Sequence, residues 1–271
     1  MADPRINLTN AKKIVIKVGT STLTYNNGKL NFSRIDKLVR VISDLANREK
    51  QIVLVTSGAI GVGVGKLKLD KKPETVREKQ AIAAVGQCEL MQIYSRFFSE
   101  YGHVVGQILL TRDIVENKTG KYNVINTFET LLEKGIIPVV NENDSVAVDE
   151  IECEIHRVFG DNDTLSAIVA DLIGADLLII LSDIDGFYSS DPRENSDSEL
   201  ISVIDDINDD IEKCAGGAGT VRGTGGMVTK LQAAKIAMGR GIDMVLANGN
   251  NPELIYEIIE GREVGTLFSA K

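Results

Sequence analysis

Cysteine is scarce in this chain: Cys88, Cys153 and Cys214 are the only three in 271 residues. Their number is odd and no two form a CxxC pair, which argues against a disulfide or zinc framework and for reduced thiols in a cytoplasmic protein. Histidine is rarer still. His103 and His156 have no partner at ligand spacing, so neither a histidine metal site nor a Ser/His/Asp-type triad is expected. Positive charge is in deficit, with 30 Lys and Arg against 39 Asp and Glu and a net charge of −9. That balance argues against a nucleic-acid binder held by phosphate contacts. Long apolar runs are missing as well. Leu177–Leu181 is among the longest, far short of the roughly 20 residues a membrane span needs. The start, Met1-Ala-Asp-Pro-Arg5, does not read as a signal peptide. No linker, internal repeat or low-complexity block interrupts the chain. The expectation is a cytoplasmic protein with no membrane or nucleic-acid partner.

What is present is an ordinary globular composition, 43% hydrophobic and 25% charged. The length suits one large domain or two small ones and a full core. Apolar runs alternate with helical patterns. The spacing predicts strands at Lys13–Val18, Gln51–Thr56, Val104–Leu110, Ile136–Val140, Leu177–Leu181, Met244–Ala247 and Thr266–Phe268. Between them it predicts a helix capped by Ser33, with Ile35, Leu38, Val39, Ile42 and Leu45 on one face. Further helices are predicted over Val76–Tyr101, Tyr122–Lys134, Asp161–Ile173, Met227–Gly239 and Pro252–Glu260, with Gly102, Gly135 and Gly174 as stops. Strands this apolar, separated by helices, imply a mainly parallel sheet covered on both faces.

Several polar stretches sit where such sheets bind ligands, at the carboxyl ends of strands. The first strand carries Lys17 inside its apolar run and leads into Gly19-Thr20-Ser21. A lysine there either reaches water or meets an anion. Val55-Thr-Ser57-Gly58-Ala59 runs from strand through turn to helix start, which is either a packing turn or an anion site built from free N–H groups. Asn141-Glu-Asn-Asp144 follows a buried strand and could take an ammonium and a carboxylate together. Gly160-Asp-Asn162-Asp163 opens a helix. One of these residues suffices as a cap, which leaves Asp163 able to hold two lysines in register. Gly223-Thr224-Gly225-Gly226-Met227-Val228-Thr229-Lys230 combines glycines with a lysine just inside a helix, the parts of a phosphate cradle in an order other than GxxxxGK[ST]. A GxGxxG fingerprint after the first strand is also lacking, which disfavours a dinucleotide-dependent oxidoreductase.

Taken with Asp183 and its Gly186-Phe-Tyr turn and with Asp191-Pro-Arg193, these stretches resemble the amino acid kinase family, in the family's order and over nearly the whole chain. The resemblance implies an α/β/α sandwich of three layers around a mainly parallel sheet of about eight strands. It implies a single domain over residues 1–271, its N-terminal part binding L-glutamate and its C-terminal part ATP, without the C-terminal PUA domain many relatives carry. The implied activity is ATP- and Mg²⁺-dependent phosphorylation of the γ-carboxylate of L-glutamate, the first step towards proline. By motif position, Lys17 and Lys230 flank the transferred phosphoryl and Asp163 organises them. Ser57, Gly58, Asn141, Asp144 and Asn162 bind glutamate. Lys17, Ser182, Asp183, Thr224, Gly225, Gly226, Met227, Val228, Thr229 and Lys230 line the nucleotide, and no protein ligand of the metal is assigned. Proline is the implied feedback inhibitor, and a homo-oligomer, dimer or tetramer, is expected. Alternatives are another acceptor of the family (N-acetylglutamate, aspartate, carbamate or UMP) or a non-catalytic nucleotide sensor. Asp144 suits a free ammonium and speaks against the N-acetylated acceptor, and the presence of both lysines speaks against the sensor. Two departures from the family's pattern stand out. Ser182 replaces a common Thr, keeping the hydroxyl, and the 149–159 stretch is several residues longer than usual.

Overall fold

The computed structural model describes residues 3–25, 29–147, 161–195, 197–215 and 226–270. A 3₁₀ turn at Pro4–Asn10 precedes β1 (Lys13–Val18), α1 (Thr20–Leu23), α2 (Phe32–Asn47), β2 (Gln51–Val55), α3 (Ala59–Leu67) and α4 (Val76–Glu100). Then come β3 (Val105–Leu110), α5 (Arg112–Glu116), α6 (Lys118–Glu133) and β4 (Ile137–Glu142). The remainder is α7 (Asn162–Ile173), β5 (Leu177–Ser182), β6 (Val203–Ile204), α8 (Asp209–Ala215), α9 (Gly226–Met238), β7 (Asp243–Asn248), α10 (Leu254–Ile259) and β8 (Thr266–Phe268). The eight strands form one sheet in the order β3-β4-β2-β1-β5-β7-β8-β6, with helices flanking it. The β2–β4, β3–β4, β5–β7 and β6–β8 pairs are parallel, and β7–β8 is antiparallel. The α/β class and the mainly parallel sheet expected from the sequence are borne out.

The chain divides into two compact units, one of Val18–Asn162 and one of Met1–Lys17 with Asp163–Lys271. In the second unit, β5 is buried over its whole length and Ile14, Val15 and Ile16 of β1 are fully buried. Each such aliphatic side chain contributes about 1.5–3 kcal/mol by leaving water. The buried Arg5 ties the 3₁₀ turn to this unit, its guanidinium donating to the carbonyls of Ser202, Arg262, Val264 and Gly265. In the first unit, α3 and α4 touch backbone to backbone. A Cβ on Gly86 would fall 1.7 Å from the carbonyl oxygen of Ala59, so only glycine permits the approach that pins α4 against the start of α3.

Local signals place several helix ends. Thr75 and Glu78 form a reciprocal capping box at the start of α4, and the backbone turns through positive φ at Gly102, Gly135 and Gly174. Other boundaries differ from the sequence reading. The cap of α2 is Asn31, not Ser33, because the Asn31 side chain accepts from the Arg34 N–H at 3.1 Å. Helix α6 begins four residues before Tyr122, at Lys118, since Asn117 caps the N–H groups of Thr119 and Gly120. A polar first turn carries no apolar period, so this start left no mark in the pattern. Strand β4 extends through Asn141 and Glu142, which pair with Leu109 and Leu110 of β3. The short β6 was not anticipated either, having only two residues and a neighbour in β8 distant in sequence.

Candidate active site

Three charged side chains from three elements of one unit meet below the surface. Lys17 stands near the end of β1, Asp163 in the first turn of α7 and Lys230 in the second turn of α9. Asp163 is fully buried, Lys17 is 6% exposed and Lys230 9%. The Lys17 ammonium lies 2.5 Å from Asp163 Oδ1 and the Lys230 ammonium 3.1 Å from Oδ2. Thr229 Oγ1 also donates to Oδ2, at 3.1 Å, and Lys230 Nζ donates to the Gly226 carbonyl at 3.0 Å. Burial alone would push the Asp163 carboxyl up, yet the charges of Lys17 and Lys230 outweigh it and hold the group below the ordinary carboxylate range. The position at a helix N-terminus acts in the same direction. Two ammonium groups share one carboxylate, so the cluster carries an excess positive charge where water is scarce. Such an arrangement attracts an anion strongly.

The other unit gathers the residues expected to bind the acceptor amino acid. Ser57 and Gly58 form the turn between β2 and α3, and Gly58 adopts φ +91°, where a Cβ would press on the Thr20 side chain. The Ser57 hydroxyl donates to the Val18 carbonyl at 3.2 Å and lies 3.3 Å from Thr20 Oγ1. Thr56, just before it, shares a 2.9 Å hydrogen bond with the fully buried Tyr94 hydroxyl. The N–H of Thr56 donates to the Val140 carbonyl, which brings the ends of β2 and β4 side by side. Asn141 is 1% exposed, and its amide donates to Gln87 Oε1 at 2.9 Å. Asp144 is half-buried, in the turn that follows β4. Asn162 precedes Asp163, and its Oδ1 is buried with no hydrogen-bond partner among the described residues.

A third group lines the carboxyl ends of β5 and β7. Ser182 is 6% exposed, and its hydroxyl donates to Asp183 Oδ1 at 3.1 Å. Arg193 pairs with the other oxygen of Asp183 at 3.2 Å, an exposed contact of small energetic weight. Asn248 of β7, the register partner of Ser182, donates to Asp185 at 2.6 Å. Gly226, Met227, Val228, Thr229 and Lys230 form the first turns of α9, while Thr224 and Gly225 lie outside the described residues, as does the 149–159 stretch. Two polar neighbours of these groups, Gln87 and Asn248, were not singled out in the sequence. Gln87 left a signal: it lies four residues after Ala83 and three before Leu90, a polar residue on the buried face of α4.

The family model for the amino acid kinase family matches residues 12–248, and the chain belongs to that family. The glutamate 5-kinase of Clostridium perfringens is 65% identical to it over 97% of each chain. That of Listeria innocua is 56% identical over 98% of this chain and 96% of the relative. Solved structures with the same fold include a carbamate kinase from Giardia lamblia bound to AMP-PNP, with a TM-score of 0.68, 13% identity and coverage of 97% of this chain and 100% of that one. A T. acidophilum isopentenyl phosphate kinase gives a TM-score of 0.65 at 21% identity, covering 94% and 99%. Among the described residues, no helix is long and apolar enough to cross a membrane.

Proposed function

We propose that this chain transfers the γ-phosphoryl group of ATP to the γ-carboxylate of L-glutamate, yielding ADP and L-glutamyl 5-phosphate for proline biosynthesis. The observation that carries the chemistry is the buried Lys17–Asp163–Lys230 cluster. Full-length similarity to glutamate 5-kinases supports L-glutamate as the acceptor. An oxygen of the γ-carboxylate forms the new bond to phosphorus, and the bond from phosphorus to the bridging oxygen of ADP breaks. A carboxylate with an ordinary pKa of about 4.3 is already ionised at neutral pH, so no general base is required. The obstacle is repulsion between acceptor and phosphate. Lys17 and Lys230 offset it, with Asp163 holding both ammonium groups in place. The N-terminal turns of α9 add backbone N–H groups towards the phosphates. Mg²⁺, when bound, neutralises phosphate charge, and such ions are held largely by the nucleotide phosphates and water. We take the two units as halves of a single kinase domain and its assembly as a homo-oligomer, which light scattering tests directly.

The deciding experiment is an acceptor panel with ATP and Mg²⁺, in which hydroxylamine traps any acyl phosphate. L-Glutamate is expected to give hydroxamate, and N-acetylglutamate and aspartate little. Comparable turnover of N-acetylglutamate defeats the reading.

Proline carries an α-carboxylate and a charged ammonium but no γ-carboxylate. It therefore fits the end of the acceptor site assigned to Asp144 without presenting a nucleophile. Proline is expected to compete with glutamate and not with ATP, and Asp144→Asn is expected to weaken both amino acids together. Initial rates at varied glutamate and proline check this, and inhibition that persists at saturating glutamate places proline elsewhere.

A further inference from the structure

The hydrogen-bond chain ending at Gln87 has a direction that its chemistry dictates. It starts at the backbone N–H of Glu142, which can only donate, and donates to Asn141 Oδ1 at 3.0 Å. Asn141 Oδ1 is thereby the acceptor, so the other end of that amide, Nδ2, must be the donor. It meets Gln87 at 2.9 Å, and Gln87 must present its oxygen. The Gln87 amide consequently turns its Nε2 donor outward from the chain. That nitrogen is buried, and no acceptor among the described residues reaches it. Gln87 itself is 8% exposed and Asn141 1%. A buried amide donor left without a partner is costly, so its retention calls for an explanation.

The position of Gln87 supplies one. Its neighbour Gly86 closes against the backbone of Ala59 and Gly63, which holds this part of α4 against the Ser57-Gly58-Ala59 turn. Asn141 continues β4 directly after Val140, whose carbonyl receives the Thr56 N–H. Gln87 and Asn141 therefore belong with Ser57 and Gly58, all within the same compact unit. A neutral N–H donor suits a carboxylate, and it suits the non-reacting one best, because a hydrogen bond to the attacking oxygen would draw off its electron pair.

We propose that Gln87 is a further substrate-binding residue of the acceptor site, its Nε2 donating to the α-carboxylate of the amino acid while its Oε1 holds Asn141. This assignment rests on the L-glutamate reading above. Bond-making at an end that does not react lowers KM without changing the barrier from the bound state.

The test uses the full chain and three proteins: wild type, Gln87→Met and Gln87→Glu. Met keeps the length but loses both the Nε2 donor and the Oε1 that accepts from Asn141. Glu still accepts from Asn141 but sets a second carboxylate against the substrate. The KM for L-glutamate is expected to rise roughly tenfold or more in Gln87→Met and further in Gln87→Glu, with kcat and the KM for ATP within about threefold of wild type. L-Isoglutamine, which has an α-carboxamide in place of the α-carboxylate, adds a cycle. Wild type is expected to discriminate against it strongly, and Gln87→Met about tenfold less. Thermal unfolding of each variant is read alongside, and should Gln87→Glu not fold, the Met variant with the two acceptors still decides. An unchanged KM, unchanged discrimination, or a loss of kcat and both KM values in step with falling stability overturns the assignment while wild-type glutamate kinase activity stands. Wild type silent on L-glutamate overturns the substrate reading and this inference with it.

Discussion

Lys230→Ala is expected to lower kcat by roughly a hundredfold or more, with a much smaller change in the KM for L-glutamate. Lys17→Ala is expected to do the same. The argument starts from placement. Both ammonium groups lie on the two oxygens of one buried carboxylate, at 2.5 and 3.1 Å. On the proposed mechanism they face the phosphoryl group as it leaves ADP and approaches the acceptor. Negative charge then crowds the reacting centre more than in the separated substrates, and a fixed positive charge in a poorly hydrated site is worth most at that moment. The loss should therefore fall on kcat. Since the two lysines act on one charge distribution, the double variant is expected to lose far less than the product of the two single losses. Steady-state kinetics by coupled ADP release check both points. Near-normal kcat in Lys230→Ala refutes the cluster as the phosphoryl site.

Asp163→Asn is expected to be the most damaging conservative change, in stability as well as rate. Asparagine keeps the shape and one acceptor oxygen but leaves two buried ammonium groups facing each other without the charge between them. Removing one partner of a buried ion pair costs about 3–5 kcal/mol, a large part of the roughly 5–15 kcal/mol typical of a folded domain. The pH dependence follows from the direction of the shift. Burial would raise the Asp163 pKa, but the two lysines overcome it and the folded value lies below the unfolded one. A carboxyl depressed on folding contributes stability that is fully present above its unfolded pKa, about 3.9, and is lost as pH falls through the folded value. Wild type and Asp163→Asn should thus differ by a constant amount from neutrality down to about pH 4 and converge below it. Denaturant unfolding at a series of pH values measures this. A gap that stays constant well into the acid range contradicts the depressed carboxylate. Activity is expected to fall along with stability, since the lysines lose their register, and a high-salt or phosphate-containing buffer should recover part of the stability by supplying an anion.

The class of fold and a set of candidate site residues are legible in the chain before any contact is known. Five-residue apolar runs such as Leu177–Leu181, set between amphipathic segments, have few stable arrangements other than strands of a covered, mainly parallel sheet. A lysine inside such a run, and glycines leading into a helix that carries another, are chemically conspicuous because a buried charge or a bare backbone is costly unless it has a use. Lys17 and Lys230 were legible as candidates for that reason, whereas Ser182 entered only through the family resemblance. That Asp163 holds both lysines was expected; how it does so was set by the tertiary structure, since Lys17 and Lys230 stand 146 and 67 residues from it and only the assembled elements bring their ammonium groups onto its two oxygens. The tertiary structure likewise decided that β4 runs on through Asn141 and Glu142, because the ladder partners that hold them are Leu109 and Leu110 on another strand. The end of the Asn141–Gln87 chain is the clearest case. A glutamine on the apolar face of a helix is visible in the sequence only as a misfit in a periodic pattern. Which way its amide points follows from a backbone N–H 55 residues away, and hydrogen-bond direction is a property of assembled groups, not of residues in a row.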